Sequence, residues 1–538
     1  MESLHQLEIV ILLLAAVLAL TTVAYKVVLP YPILLVIGGL VLALVPGLPT
    51  VALNPDLVFL VFLPPILWSA AYFTSWREFR RNLRPISLLA VGLVLATTAA
   101  VAAVAHALLP GIGWAEAIAL GAIVSPPDAV SATAIGKRLG IPSRVVTILE
   151  GESLVNDATA LVLYRTAIAA AMTGTFMPGE ALLQFVFAAV AGTAIGIAVS
   201  WVARWALCVT EDPFTQVAVT LLAPYIAWVL GELTHASAVL ACVAGGIHLR
   251  QRFSGAVTPA TRIQASAVWN LLVFVLNGFI FILIGLELGA LWDALPPGRF
   301  GPVLFAGAVI SLAAIAVRLI WVPLAALIPR WMSAALRARD PMPPWPNIFL
   351  IAWTGMRGIV TLAAALALPV TTAGGAPFPF RAEIILISFA VILVTLVLQG
   401  LSLPPLIRLL RLEQDHGHED EEKLARERAA TAALNRLDEL AAENWAMKDH
   451  IERLRRQYGR RLNRLFHSHL RDGEATIEDT EALQRLQHEA LTAERTALIR
   501  LRNDGTIGDD VLHLLEEELD VAALHLGIGE RRIHRAKR

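Results

Sequence analysis

The sequence predicts an all-α membrane protein: about thirteen transmembrane helices in two inverted six-helix halves with crossing broken helices, followed by a helical cytoplasmic domain. Three observations predict it. Hydrophobic residues make up 57% of the 538 residues and charged residues only 16%, whereas soluble domains carry about 25% charge. Apolar runs that meet the need of a hydrocarbon layer, about 20 residues per helix, recur as far as residue 411. Lys and Arg collect in alternate loops, as the positive-inside bias requires.

The first run, 7–26, follows "MESLHQLE", which has no basic head, and no small-residue cleavage site stands out. It is therefore read as a retained helix rather than a secretion signal. Runs at 30–46, 56–73 and 85–109 follow, with Lys26 after the first and Arg77, Arg80, Arg81 and Arg84 after the third. The fifth, 115–137, ends at Lys137 and Arg138, and the sixth, 144–172, opens at Arg144. Runs at 180–208, 213–232, 235–249, 264–291, 301–329, 346–370 and 380–411 complete the set, with Arg204, Arg250, Arg252, Arg262, Arg330, Arg337, Arg339, Arg408 and Arg411 again on one side. The other side holds little more than Arg299 and Arg381. This alternation places the N-terminus outside and the C-terminus in the cytoplasm, in a multi-pass inner (cell) membrane protein. The transmembrane domain is expected over 1–411 and a charged, helically periodic tail domain over 412–538. The "HGHEDE" cluster at its start lacks a known ligand spacing and reads as a solvated linker.

Several function classes are excluded on composition. A net charge of −1 with no isolated basic stripe argues against nucleic acid. Cys208 and Cys242 lie in apolar stretches and read as small buried hydrophobes, not as a disulfide or zinc framework. No phosphate loop, metalloprotease helix or nucleophile elbow occurs, so neither an enzyme nor a cofactor is expected.

What remains are charges inside apolar helices, which are costly and mark ion pathways or proton relays. "ILEGESLVNDATALVLY" (148–164) sets Glu150, Glu152, Asn156 and Asp157 in the sixth span. If that helix starts near Ser143, which follows a proline and is expected to cap it, Asp157 lies about 20 Å along it, near the bilayer middle. Asp128 lies at the same remove from Trp114 in the fifth, oppositely directed span. Pro126 and Pro127 withhold two backbone donors and clash with the preceding turn, so that helix is expected to break just before Asp128. Freed carbonyls at such a break are ready ligands for a small cation, with Ser125, Ser131 and Thr133 supplying further oxygens.

Glu152 and Asn156 are four apart on one helix face, and Ser153 and Asp157 are four apart on the adjacent face. A carboxylate, an amide and a hydroxyl suit a hard cation. An isolated carboxylate is unfavourable at that depth, so proton and cation compete for Asp157. Arg318 and Arg357 are also deep in apolar helices and stay charged. Glu152 is the natural mate of Arg318, a strut that leaves Asp157 free to titrate. The glycines around Arg357 in "GMRG" predict a second break, in the twelfth span, seven helices after the first. Glu287, Glu232, His235, His248 and Arg250 are read as interfacial, and the tryptophans at 68, 76, 114, 292, 331 and 345 as an aromatic belt.

"GESLVNDATALVLY" resembles the asparagine-aspartate motif of the monovalent cation:proton antiporter family that includes the sodium/proton exchangers. "FLPPILWSAAYF", "SPPDAV" and "WTGMRGIVTLA" are similar to its other hallmark stretches, in the same order, over about residues 7–411. The resemblance implies a thirteen-helix homodimer with a dimerisation half and a mobile core half, exchanging one proton for one Na+, Li+ or sometimes K+. It also implies that Asp157 is the ion and proton carrier, that Asn156 and Asp128 support the site, that Ser153 is a ligand, and that Glu152 pairs with Arg318; on the reading of the residues themselves, Ser125 adds an oxygen to the site, and Pro126, Pro127 and Arg357 support the broken helices. Two departures stand out. Trp68 and Ser69 replace an acidic residue that many relatives carry after the third helix's double proline. Ser125, Pro126 and Pro127 precede Asp128 where relatives show threonine-aspartate-proline. Asparagine at 156 leaves one titrating carboxylate, so electroneutral exchange is expected. Competing expectations are a potassium-preferring antiporter, a cation channel, and a membrane sensor signalling through the tail, whose regulator the sequence does not identify.

Overall fold

The computed structural model describes residues 2–412 apart from 28–30, 44–57, 129–132, 134–139, 175–177, 254–256, 258, 294–299 and 373–374. It also describes 431–439, 451–456 and a few isolated positions beyond 412. The chain forms two compact units, Met1–Asp415 and His416–Arg538. In the second, 431–439 and 451–456 are helical. Most of the expected tail, including the 416–421 cluster, lies outside the described residues.

The first unit is helical throughout, with no strand among the described residues. In chain order it comprises α1 (Glu2–Val27), α2 (Tyr31–Ala43), α3 (Leu63–Phe73) after a π-helical turn at Val58–Phe62, and α4 (Leu83–Leu108). Next come α5 (Trp114–Val124), α6 (Ser143–Thr173), α7 (Pro178–Val209), α8 (Pro213–Leu233) and α9 (Ala238–Phe253). The series closes with α10 (Pro259–Asp293), α11 (Phe300–Met332), α12 (Trp345–Trp353), α13 (Ile359–Leu366) and α14 (Arg381–Leu410). Helices dominate because hydrocarbon offers no partners to open backbone groups. Local signals set their ends: Asp212 caps α8 by accepting from the Thr215 N–H at 2.7 Å, with Pro213 in the first turn. Within α4, α7, α8, α10, α11 and α14, the stretches Leu83–Leu108, Leu182–Val209, Pro213–Leu233, Thr261–Glu287, Gly301–Met332 and Arg381–Leu410 are both long and apolar enough to cross a membrane. The 31-residue α6 has the length but carries Glu150, Glu152, Asp157 and Arg165 within it.

Small residues bring helices into backbone contact, as expected where packing must replace the hydrophobic effect. A Cβ on Gly39 of α2 would lie 2.1 Å from the Ile282 carbonyl oxygen of α10, and one on Gly285 would lie 2.2 Å from that of Val36. Gly196 of α7 meets Ala241 of α9 in the same way, at 2.1 Å. Two apolar clusters result. One gathers α4, α5, α11, α12, α13 and α14 with parts of α1, α2 and α10, and the other gathers α3, α7, α8 and α9 with the start of α10. Helix α6 serves both, giving Ile148, Leu149 and Tyr164 to the first and Leu154 and Ala158 to the second.

Four expectations are corrected. Trp68 is 1% exposed and so presents no ring to an interfacial belt, because Gly245 and Gly246 of α9 open a slot for it. Cys208 is exposed. Glu287 is buried rather than extended to the surface. Ser143 does not cap α6: Pro142 holds the capping position in an extended conformation, and its carbonyl accepts from the Val145 N–H at 3.0 Å.

Candidate functional site

Helix α5 stops at Val124, and Ser125, Pro126, Pro127 and Asp128 run on without helical structure. The twelfth span is also interrupted, between α12 and α13, where Thr354–Gly358 are non-helical. The two interruptions touch. The Asp128 N–H donates to the Met356 carbonyl at 2.7 Å, and Arg357 Nε donates to the Val124 carbonyl at 3.0 Å. A helix end buried without partners is costly, and here each break supplies donors to the other.

Further carbonyls in and beside the breaks are also engaged. Asn156 Nδ2 donates to the Pro127 carbonyl at 2.9 Å, the Ser125 hydroxyl to that of Ala122 at 3.0 Å, and Arg357 Nη1 to that of Gly355. The freed carbonyls expected as cation ligands at Val124 and Pro127 are thus each half occupied by a protein donor, with one lone pair left. Asn156 keeps its Oδ1 buried and without a hydrogen-bond partner among the described residues. That oxygen, with the carboxylates and the open lone pairs of the two carbonyls, offers acceptors to a cation.

Glu152 and Arg318 form a two-pronged ion pair, Nη2 to Oε2 at 2.8 Å and Nη1 to Oε1, with both side chains 1% exposed. Arg318 Nε also donates to the Ile351 carbonyl at 3.2 Å. One helical turn on, Asp157 is 6% exposed, and among the described residues no basic group pairs with it. Its charged neighbour is Asp128, near enough for the two carboxylates to interact. Ser153 is half-buried beside them on α6, while Ser125 is fully buried.

Glycines fix how closely these groups meet. A Cβ on Gly358 would lie 2.0 Å from Asp128 Oδ2, and one on Gly355 would lie 2.6 Å from Arg318 Cδ. "GMRG" therefore marks more than a break: its two glycines make room for the acid of one span and the guanidinium of another. Sequence reading missed Thr395 and Gln399 of α14. Thr395 Oγ1 accepts from the Arg357 N–H at 3.1 Å, and both amide atoms of the buried Gln399 lack a hydrogen-bond partner among the described residues. The available signal was two polar residues four apart, hence on one face, in an otherwise apolar run. Of the expected oxygen donors, Ser131 lies outside the described residues, and Thr133 is buried. Arg165 reaches across to α8, donating from Nη2 to both carboxylate oxygens of Glu232 at 2.8 and 2.9 Å.

A family model described as "Sodium/hydrogen exchanger, transmembrane" matches residues 9–409. An uncharacterised Na(+)/H(+) exchanger of Mycobacterium tuberculosis is 33% identical over 526 residues, covering 97% of this chain and 96% of that protein. The low-affinity Na(+)/H(+) antiporter NhaS1 of Synechocystis is 31% identical over 450 residues, 81% of either chain. A sodium, potassium, lithium and rubidium/H(+) antiporter of Bacillus subtilis is 31% identical, over 74% of this chain and 61% of its own length. In fold, the chain is similar to the sodium proton antiporter MjNhaP1 from Methanocaldococcus jannaschii, with a TM-score of 0.60 at 18% identity over 76% of this chain and 98% of that one.

Proposed function

This chain belongs to the sodium/hydrogen exchanger family, and from that premise we propose that it exchanges one monovalent cation for one proton by alternating access, with the two competing for Asp157. The observation that carries the reading is the contrast between two neighbouring carboxylates on α6. Glu152 is neutralised by Arg318, whereas Asp157, also buried, has a second acid beside it and no base paired with it among the described residues. A buried carboxylate with a second one beside it favours uptake of a cation or a proton. Hard oxygen donors favour an alkali cation.

In this mechanism, Asp157 and Asp128 bind the cation with Ser153 and the open Oδ1 of Asn156, and Ser125 lies at the mouth of the break. Asn156 and Arg357 hold the broken α5, which keeps Asp128 at its place over Gly358. Glu152 and Arg318 act as a strut. Proton binding to Asp157 displaces the cation, and cation binding displaces the proton, so one site serves both directions without coupling through a second ion. The active form is a homodimer of thirteen-helix subunits in the cell membrane, with the N-terminus outside and the C-terminal tail in the cytoplasm. Na+ is the proposed cation. Relatives named for sodium, potassium, lithium and rubidium make the choice among alkali ions an experimental axis.

Fluorescence dequenching in proteoliposomes, titrated with Na+, Li+ and K+, tests the proposal. Proton efflux should follow added Na+ and saturate, and Asp157→Asn should abolish it while leaving the purified protein monodisperse. Cation-driven proton movement retained by that variant would assign the carrier role elsewhere.

A further inference from the structure

Where α4, α6, α11 and the segment before α12 converge, three arginines close on one acid. Arg84 Nη2 and Arg330 Nη2 reach Asp340 Oδ2 at 2.7 Å each, and Arg144 Nη2 reaches Oδ1 at 2.8 Å. One carboxylate cannot balance three guanidiniums, which stay charged, so the cluster carries a surplus of positive charge. Arg330 is further occupied with the carbonyls of Ala326 and Asp340, and Arg144 Nε with Asn82 Oδ1. Arg84 is the exception: its Nε and Nη1 are buried and have no acceptor among the described residues. Charged donors left in this way are expensive unless something else accepts from them.

These arginines line a cavity of about 70 Å³ whose other wall is apolar, including Leu89, Ile148, Val322 and Ile351. Pockets that enclose a whole small molecule run to about 300–1,000 Å³, so this one suits one part of an elongated molecule. Its level in the membrane is marked by Trp331, 81% exposed and next to Arg330, and Trp345, 57% exposed and five residues after Asp340. Exposed tryptophans at span ends sit at the headgroup layer. Leu327 and Ile328, both exposed, continue the apolar surface along α11.

We propose that this cavity is a binding site for an anionic phospholipid, whose phosphate accepts from Arg84 and Arg144 while its glycerol and acyl stem lies against the apolar wall. A free phosphate ion would satisfy the arginines but would press a multiply charged anion against hydrocarbon. A lipid presents charge and chain in the order the cavity does. On the orientation proposed above, the ligand comes from the cytoplasmic leaflet.

Native mass spectrometry of the delipidated full chain tests this, with phosphatidylglycerol, phosphatidylcholine and inorganic phosphate as probes. Phosphatidylglycerol should be retained over phosphatidylcholine. Arg84→Gln should weaken that retention about fivefold, the worth of one basic residue at an anionic surface. Asp340→Asn, which removes the competing carboxylate, should strengthen it, and this arm stands even if Arg84→Gln fails to fold. Equal retention of the two lipids, no change in Arg84→Gln, or weakened retention in Asp340→Asn would overturn the proposal. Displacement of phosphatidylglycerol by millimolar inorganic phosphate would mark a phosphate site instead and overturn it as well.

Discussion

Two acids five residues apart on α6 meet opposite fates because of what faces them. Glu152 is held by Arg318, and truncating one member of such a pair strands the other in the core. Arg318→Met is therefore expected to cost about 3–5 kcal/mol of stability, read as a drop in the thermal midpoint. The double variant Glu152→Gln/Arg318→Met should recover part of that loss, since no lone charge is left. Gly358 makes a different demand. A methyl group there would meet Asp128 Oδ2 at 2.0 Å, so Gly358→Ala must displace the carboxylate. Its cation affinity in the vesicle assay should fall at least tenfold, equivalent to about 1.4 kcal/mol, while the thermal midpoint moves much less than in Arg318→Met. Both acids were visible in the sequence, as was the mate of Glu152, because few charges occupy apolar helices and each must find a counterpart. The nearness of Asp128 to Gly358 was not visible: a glycine in a sequence announces freedom or room without naming the group that uses it.

Span limits were legible because hydrocarbon imposes a minimum length on every helix, and α7, α10 and α11 extend their expected runs by only a few residues at each end. The breaks were legible from Pro126 and Pro127 and from the glycines around Arg357. Which donors occupy the exposed carbonyls was not, since Asn156, Arg357 and Thr395 come from elements far apart in sequence and hydropathy does not report such neighbours. The short connection between α11 and α12 was likewise read only as a basic loop, yet Asp340 gathers three arginines there. Partial burial pushes the Asp340 carboxyl up, but the hydrogen bond and charge of Arg144, with the charges of Arg330 and Arg84, outweigh it and hold it below the usual carboxylate value. A carboxyl depressed in the folded state stabilises fully above its unfolded value of about 3.9 and loses that contribution as pH falls through the folded value. Thermal midpoints of the wild type and Asp340→Asn should thus differ at neutral pH and converge below about pH 4; a gap that persists in acid would assign the stability to packing instead.

At the scale of the whole molecule, the helix that carries Asp157 is shared between two apolar clusters, so the site lies on the seam of the unit rather than deep within either part. The proposed alternating access needs such a location, because a group enclosed by one cluster could not be offered to both sides of a membrane. The charge carried per cycle follows from the same residues. In the proposed mechanism, with asparagine at 156 and Glu152 neutralised by Arg318, a proton replaces a monovalent cation and no net charge crosses. A displaced elementary charge would couple to the membrane potential by about 2.3 kcal/mol per 100 mV, and here that coupling should vanish. Exchange rates in proteoliposomes clamped with valinomycin at different potassium potentials, with Na+ as the driving ion, are expected to superimpose. Rates that track the potential would require a second titrating group. The architecture also constrains how such a protein adapts to heat. Where Gly39, Gly196 and Gly285 press against carbonyl oxygens, the side chain is already a single hydrogen, and no substitution brings those backbones closer. A thermophilic version of this chain must find its added cohesion in connecting segments and on other helix faces, leaving the glycine crossings as they are.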